Sequence, residues 1–460
     1  MLSKEKHHIF KTSGRRHVLV ITNHGCHAPV ITLTTDTGGQ NFYVNDLCRS
    51  LLKLGYKVTI LNRGGYRHPA TGLLQKGVVY YDRVWGDEGL YCRILYLEDG
   101  TSEFIEKEKL THDHLHRETD FFFNAAARLK IDLSDIYLIL SHYWDGGMLG
   151  LFINEGLRKK TYSSSPHIWT PHSLGRLKRK NYKNASRHIV KALNFPFRIR
   201  NEERIIALAD GVVSTSDEIR SVLAEYKSSP RNYFYFPPGI DMDLFKPRKL
   251  KDCSKALTVL ENVLGLDESE VIRFLDRHVL FVESGRTAKP KQKDVLLRSF
   301  AQMKNHKNAS LIMTIDKNTR MYKGIYSLYK TLNTENNIYL IDRYLSDEEL
   351  SELYSLADVY VTCSVMEGWG MAVQEAAASK CALVSSKFIP FVNELIKQDA
   401  LIAQKHTPSA YAEKMDTLVN DPDLRDKMAF RSYKTVIKNC SWRALTRNLI
   451  ADIKKRGIFR

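Results

Sequence analysis

Several features are missing from this 460-residue chain, and each absence closes a class of function. No apolar run reaches the roughly 18 residues that a membrane-spanning helix needs, so no span is expected. The N-terminus, MLSKEKHHIFKTSGRR, is polar and basic and has no apolar stretch of the kind a secretory signal carries. Seven cysteines (26, 48, 92, 253, 363, 381 and 440) include no CxxC pair, which suggests neither a zinc site nor a disulfide framework. Cys48, Cys363 and Cys381 sit in apolar segments and read as buried thiols of a reduced, cytoplasmic protein. There is no low-complexity tract, no short repeat and no GxGxxG dinucleotide fingerprint. Acidic residues are outnumbered, 52 against 69 Lys plus Arg, for a formal charge of +17. That excess favours anionic partners, or else marks a solvated basic surface.

What is present is ordinary globular composition, 43% hydrophobic and 26% charged. The length allows three domains at about 150 residues each, or two large α/β domains. Strand and helix signals alternate from end to end. HVLVIT (17–22) is a strand; Tyr43, Val44, Leu47, Leu51 and Leu54 follow at helical spacing, Gly55 stops that helix, and KVTILN (57–62) is the next strand. This βαβ unit predicts a parallel sheet. Further strand candidates are 92–97, 136–142, 167–173 and 211–216. The segment YFPPGIDMDLFKPRK is rich in proline and cannot hold regular structure, so it reads as a domain edge. A second series begins with HVLFVES (278–284) and continues with strands at 310–316, 337–342, 358–364 and 381–386. It also contains a helix capped by Ser346 and Glu349 and another from about Ala372. The parse is therefore two α/β domains, 1–247 and 248–440. An amphipathic closing helix in 441–460, with Trp442, Leu445, Leu449 and Ile450 on one side, is expected to pack back on the first.

In doubly wound sheets ligands bind at the carboxyl ends of the strands, so the loops after strands carry the interest. In TTDTGGQ, Gly38 and Gly39 open a helix; they could expose backbone N–H groups to an anion or simply form a tight turn. Asn62, rather than an acidic residue, ends the next strand, which argues against a dinucleotide. In SGRTAKPKQK, Arg286 and Lys291 lie between a strand and a helix, suited to phosphate oxygens. In EGWGMAVQEAAASK, Glu367 follows a strand and Glu375 lies eight residues on. Gly368 and Gly370 leave the backbone open between them, and a carboxylate suits sugar hydroxyls. The densest positive patch follows His172 and Ser173: Arg176, Lys178, Arg179, Lys180, Lys183, Arg187 and Lys191, then Arg198, Arg200 and Arg204. It could hold a sugar phosphate, a membrane face or RNA, although Tyr182 is its one aromatic, too few for base stacking.

Taken together and in order, these stretches resemble a retaining glycosyltransferase of the two-domain GT-B fold, in the E-x7-E family that includes sucrose-phosphate synthases. The resemblance spans roughly 16–455 and is carried by DTGGQ, FIEKEKL, SHYWDGG, TPHSLGRLK, RIRNEE, PPGIDMDLF, the Arg286/Lys291 pair and Glu367/Glu375. It implies two Rossmann-like domains facing a central cleft. It implies that Gly38 and Gly39 let the backbone approach the reacting centre and that Gln40 contacts the acceptor. Lys107, Ser173, Lys178 and Arg198 or Arg200 would hold an acceptor phosphate. His172 would lie beside the donor sugar. Arg286 and Lys291 would neutralise the leaving diphosphate, Glu367 would bind sugar hydroxyls, Gly370, Met371 and Ala372 would offer N–H groups, and Glu375 would hold the ribose. No metal site is implied and no cofactor is required, Mg2+ being a stimulant at most.

Two readings of the reaction follow. In the first, a hexosyl group passes from UDP-glucose to a phosphorylated sugar such as fructose 6-phosphate. In the second, GDP-mannose or another donor serves a lipid-linked glycan or small-molecule acceptor, with peripheral contact at an acidic membrane. A nucleic-acid-binding module and an inactive glycan-binding relative are the readings from other classes. The intact Arg286, Lys291, Glu367 and Glu375 set argues against both.

Overall fold

The computed structural model describes residues 4–25, 27, 39–69, 72–161, 163–182, 186–332 and 337–459. It divides into two compact units. Unit 1 is Met1–Gly239 with Trp442–Arg460, and unit 2 is Ile240–Ser441. The chain thus leaves unit 1 inside the proline-rich segment, before the expected division at 247/248, because Ile240 already pairs with Ser441 as a parallel bridge inside unit 2.

Unit 1 is built on eight strands: β1 (Arg16–Thr22), β2 (Tyr56–Gly64), β3 (Val78–Tyr80), β4 (Cys92–Glu98), β5 (Ile136–His142), β6 (His167–Thr170), β7 (Gly211–Ser214) and β8 (Tyr233–Tyr235). Their order is β3-β4-β2-β1-β5-β6-β7-β8, parallel except for the antiparallel edge pair β3/β4. β1 and β2 are buried almost throughout, as strands covered on both faces must be. Val18 and Val20 point to one core, with the helix Gly39–Lys53 and the closing helix Trp442–Lys455. Leu19 and Ile21 point to the other, beneath the helices His112–Arg128, Tyr143–Thr161 and Phe195–Leu208. The helix Tyr143–Thr161 lies very close to the sheet. A Cβ on its Gly147 would stand 2.7 Å from the Trp169 indole nitrogen, so glycine is required there.

Unit 2 holds β9 (Val279–Glu283), β10 (Ala309–Thr314), β11 (Ile338–Ile341), β12 (Val359–Thr362), β13 (Ala382–Ser386) and β14 (Leu401–Ala403). Their order is β11-β10-β9-β12-β13-β14, all parallel. Leu280 and Val282 face one core, Phe281 the other. Both sheets therefore run outward in two directions from an early strand. The reversal falls between β1 and β5 in unit 1 and between β9 and β12 in unit 2. Loops leaving the strands on either side of such a reversal splay apart and leave a crevice at the carboxyl edge. Between the units' strands the stretch 248–277 is largely helical, Ser254–Leu264 and Glu268–Arg277, the second opened by a reciprocal cap between Asp267 and Glu270. No helix among the described residues is long and apolar enough to cross a membrane.

Candidate active site

In unit 2 the loop after β9 brings Arg286 and Lys291 to the reversal, and the loop after β12 brings Glu367. The loops are tied together: Val365 N donates to the Pro290 carbonyl at 2.9 Å, and Ser364 Oγ to the same carbonyl at 3.1 Å. Lys291 Nζ donates to Glu367 Oε1, both side chains about one-fifth exposed. Beneath them Lys293 Nζ bonds Glu283 and, at 2.8 Å, the Thr314 carbonyl. Burial pushes the Glu283 carboxyl up and the Lys293 amine down, and their mutual attraction offsets only part of this. Arg286 is exposed.

Gly370 caps the helix Met371–Ala378 with φ of 108°. A Cβ there would meet Ile389 Cγ2 at 2.5 Å, so the glycine serves both the turn and the contact. The first intrahelical acceptor is the Gly370 carbonyl, taken by Gln374 N at 3.1 Å. The preceding N–H groups, Met371 and Ala372 among them, have no intrahelical carbonyl to bond. Such a terminus attracts anions. Trp369 is buried, its Nε1 donating to Gln374 Oε1 at 2.7 Å, which locks the turn. Glu375 is half-buried, and its charge adds to the burial that raises the Tyr354 and Tyr360 phenols. Both tyrosines hold Ser284, at the end of β9: Tyr354 by its hydroxyl and Tyr360 by donating to the carbonyl at 2.9 Å.

In unit 1 Gly38 lies outside the described residues, as does Lys183. Gly39 is exposed at the start of its helix, and the half-buried Gln40 donates Nε2 to Thr22 Oγ1, at the end of β1, at 3.2 Å. His172, after β6, adopts φ of 53°. Its Nε2 hydrogen-bonds His142 Nδ1 at 2.8 Å, and its ring meets Tyr43 edge-on at 4.7 Å. Burial holds both imidazoles well below their ordinary range, with the neighbouring His24 adding to the effect at His172. The residue as a whole is half-buried, and its imidazole is held neutral.

Ser173 and Lys178 continue from that loop into the helix Gly175–Asn181, and Lys107 joins them from the turn Lys107–Lys109. Lys178 Nζ contacts Glu108 Oε1 at 3.4 Å. Burial lowers the Lys178 amine, and the charges of Arg198 and Lys107 lower it further. Arg198 is buried and engaged on three sides. Nε donates to Glu202 at 2.8 Å, Nη1 to the Tyr143 hydroxyl, and Nη2 to the Ser173 carbonyl at 2.6 Å. Glu202 also accepts from Gly175 N, at 2.9 and 3.0 Å, and from the Tyr226 hydroxyl. Arg198 therefore fixes the Ser173 loop from behind. Arg200, two residues on and so about 200° around the helix, is exposed and does not join the cluster. The other basic residues also part company: Arg176, Arg179 and Lys180 line a separate surface depression of about 490 Å³ with Tyr182 and Val190.

Four residues that sequence reasoning passed over complete unit 1's cluster: His142, Tyr143, Glu108 and Glu202. Tyr143 has φ of 65°, and burial pushes its phenol up to about 12 against the pull of Arg198. The SHYWDGG stretch does not by itself single out its His and Tyr, although the first ends a strand and the second follows it directly.

Each sheet reversal thus gathers its own set of polar residues: in unit 2 a helix terminus with Arg, Lys and paired carboxylates, in unit 1 a lysine cluster beside a neutral histidine. The chain is a glycosyltransferase of the GT-B class. Residues 37–244 match the family described as Glycosyltransferase Family 4, and residues 267–435 match Glycosyl transferases group 1, to which its two units belong. A mannosylfructose-phosphate synthase of Agrobacterium fabrum is 29% identical over 377 residues, 79% of this chain and 74% of that one. Among solved structures, a sucrose-phosphate synthase of Thermosynechococcus elongatus superposes with a TM-score of 0.72 at 21% identity, covering 96% of this chain and 99% of that one. An Anabaena protein solved with UDP and glucose follows at 0.66 and 12%, covering 96% and 100%.

Proposed function

We propose that this enzyme moves a hexosyl group, with retention of configuration, from a nucleotide-sugar, UDP-glucose first, to a phosphorylated sugar such as fructose 6-phosphate. The observation that carries the acceptor half is the convergence of Lys107, Lys178 and the Arg198-held Ser173 at the carboxyl edge of unit 1's sheet. A sugar bearing phosphate supplies the anion that such a cluster needs. The names of the Agrobacterium and Thermosynechococcus proteins, a mannosylfructose-phosphate synthase and a sucrose-phosphate synthase, point the same way. On the donor side Arg286 and Lys291 take the diphosphate, the N–H groups from Gly370 to Ala372 its oxygens or the sugar, Glu367 the sugar hydroxyls and Glu375 the ribose.

The chemistry is electrostatic. Negative charge grows on the leaving diphosphate, and fixed cations stabilise it more in the transition state than before. Positive charge grows at the anomeric carbon, where a neutral His172 is tolerated and an imidazolium would repel. No metal cofactor is part of this proposal, since Arg286 and Lys291 carry the charge. A mannosyl donor is the second reading, favoured by the name of the 29% relative.

Nucleoside-diphosphate release from UDP-glucose, ADP-glucose and GDP-mannose, each with and without fructose 6-phosphate, tests both. Release that requires the sugar phosphate and is lost in Glu367→Ala and Lys178→Ala supports the proposal, and the productive donor selects the reading. Release that ignores the sugar phosphate would remove the acceptor assignment.

A further inference from the structure

The lysine cluster of unit 1 already holds an anion of its own. Glu108 sits in the turn Lys107–Lys109 with its Oε1 3.4 Å from Lys178 Nζ. That is longer than the roughly 2.7–2.9 Å of a strong charge-assisted bond. The two side chains are 20% and 28% exposed, so a ligand can reach the pair without unfolding anything. Burial opposes ionisation of Glu108, but the charges of Lys107 and Lys178, helped by hydrogen bonds from its own backbone N–H and from Lys178, outweigh it and hold the carboxyl below its ordinary range. Glu202, the other carboxylate beside Arg198, is fully buried and bonded to Gly175, Tyr226 and Arg198, so it cannot move aside. Glu108 carries no comparable set of bonds to other groups: its one hydrogen-bonding side-chain partner described is Lys178. It is an anion held loosely, by charge, at the place where the acceptor phosphate is to bind.

We propose that Glu108 is a displaceable counter-ion, which neutralises Lys107 and Lys178 while the acceptor site is empty and yields them to the acceptor's phosphate. The inference rests on the reading of those two lysines as phosphate-binding residues. A phosphate dianion with three oxygens outcompetes a single carboxylate for two ammonium groups, whereas a monoanion such as chloride does not. Glu108 therefore keeps the cluster from collecting weaker anions and makes it selective for a phosphorylated ligand.

The test is calorimetric titration of the full chain with inorganic phosphate, in low salt and again in chloride. Wild type, Lys178→Ala, Glu108→Gln, Glu108→Ser and Glu108→Asp are compared. Removal of the internal competitor is expected to tighten phosphate binding roughly threefold to tenfold in both Glu108→Gln and Glu108→Ser, the scale of a partly exposed ion pair. It is also expected to make binding more sensitive to chloride. Glu108→Asp, which keeps the charge, stays within about twofold of wild type. Two neutral variants are used so that poor folding of one leaves the other to decide. If Lys178→Ala abolishes binding but neither neutral variant tightens it, the counter-ion role is wrong and the phosphate site stands. If wild type binds no phosphate, or Lys178→Ala binds it unchanged, the phosphate site itself is wrong and the counter-ion role falls with it.

Discussion

In unit 2 Lys291 rests on Glu367; in unit 1 Lys178 rests on Glu108. The two pairs differ in what the carboxylate does next. Glu367 follows directly on a sheet reversal, in a loop tied to the Pro290 carbonyl, and under the proposed function it stays to bind the donor sugar. Glu108 sits on a three-residue turn and has only to leave. The units differ as well in how they bury histidine. His17, His27, His142 and His167 are all enclosed in unit 1, whereas unit 2 has three histidines, His278, His306 and His406, none of them buried. The two halves thus share a lysine–carboxylate pair but differ in how they enclose histidine.

The largest effect expected from this contrast is acid unfolding confined to unit 1. Burial holds His27 down to about 4 and His167 to about 3, and holds His17 and His142 well below the ordinary 6.5. At pH 5.5 the folded rings bind no proton and the unfolded ones do, so acid favours the unfolded chain. Stability is complete above about 6.5 and is lost as pH falls toward the depressed values. Each ring contributes about 1.4 kcal/mol per pH unit, so His27 and His167 together contribute roughly 3 kcal/mol, and His17 and His142 add in the same direction. Hydrogen exchange followed by mass spectrometry should show unit 1 peptides losing protection between pH 7.5 and 5.5 while unit 2 peptides keep theirs. Equal loss in both units would end the comparison.

Arg198→Met comes next. It leaves Glu202 as a buried carboxylate without its cation and frees the Ser173 carbonyl, at an expected cost of about 3–5 kcal/mol. A thermal melt measures it, and a loss below 1 kcal/mol would show that Arg198 is not the anchor of that loop. Lys291→Ala is expected to lower kcat by roughly 10²–10³-fold in the nucleoside-diphosphate release assay, the scale of losing one preorganised charge at a developing anion. An unchanged kcat with a raised KM would instead make Lys291 a ground-state binder. The smallest effect is that of Arg200→Ala: stability within about 0.5 kcal/mol and an unaltered KM for the acceptor. A raised KM would bring Arg200 back into the phosphate site.

The sheet architecture was legible because buried parallel strands write themselves as short β-branched runs. Eleven of the strands came directly from such runs, from HVLVIT to CALVSS. β3, β8 and β14 are three-residue edge strands with half-open faces, too short to show a period. The helix Lys4–Thr12 buries a single residue, Phe10, and its polar sequence gave no stripe to read. At the site, loops after strands led to Lys291 and Glu367, which the structure places in contact. The arginine run was harder. Arg198 and Arg200 look alike in RIRNEE, and only the helix and its partners Glu202 and Tyr143 separate an anchor from a surface residue. Glu108 was hidden for the same reason: among KEK it reads as one more solvated charge.

Unit 1 starts the chain, yet the helix Trp442–Lys455 belongs to it. Trp442 packs on Tyr43 at 5.0 Å and Phe236 at 6.0 Å, and its carbonyl accepts from Ser50 Oγ at 3.1 Å. A ribosome translating this message finishes the whole of unit 2 before the piece that seals unit 1 emerges. The early-made half must wait, with one face of its sheet uncovered around Tyr43 and Phe236, and is exposed to chaperones and proteases for as long as synthesis of the intervening 202 residues, Ile240–Ser441, takes.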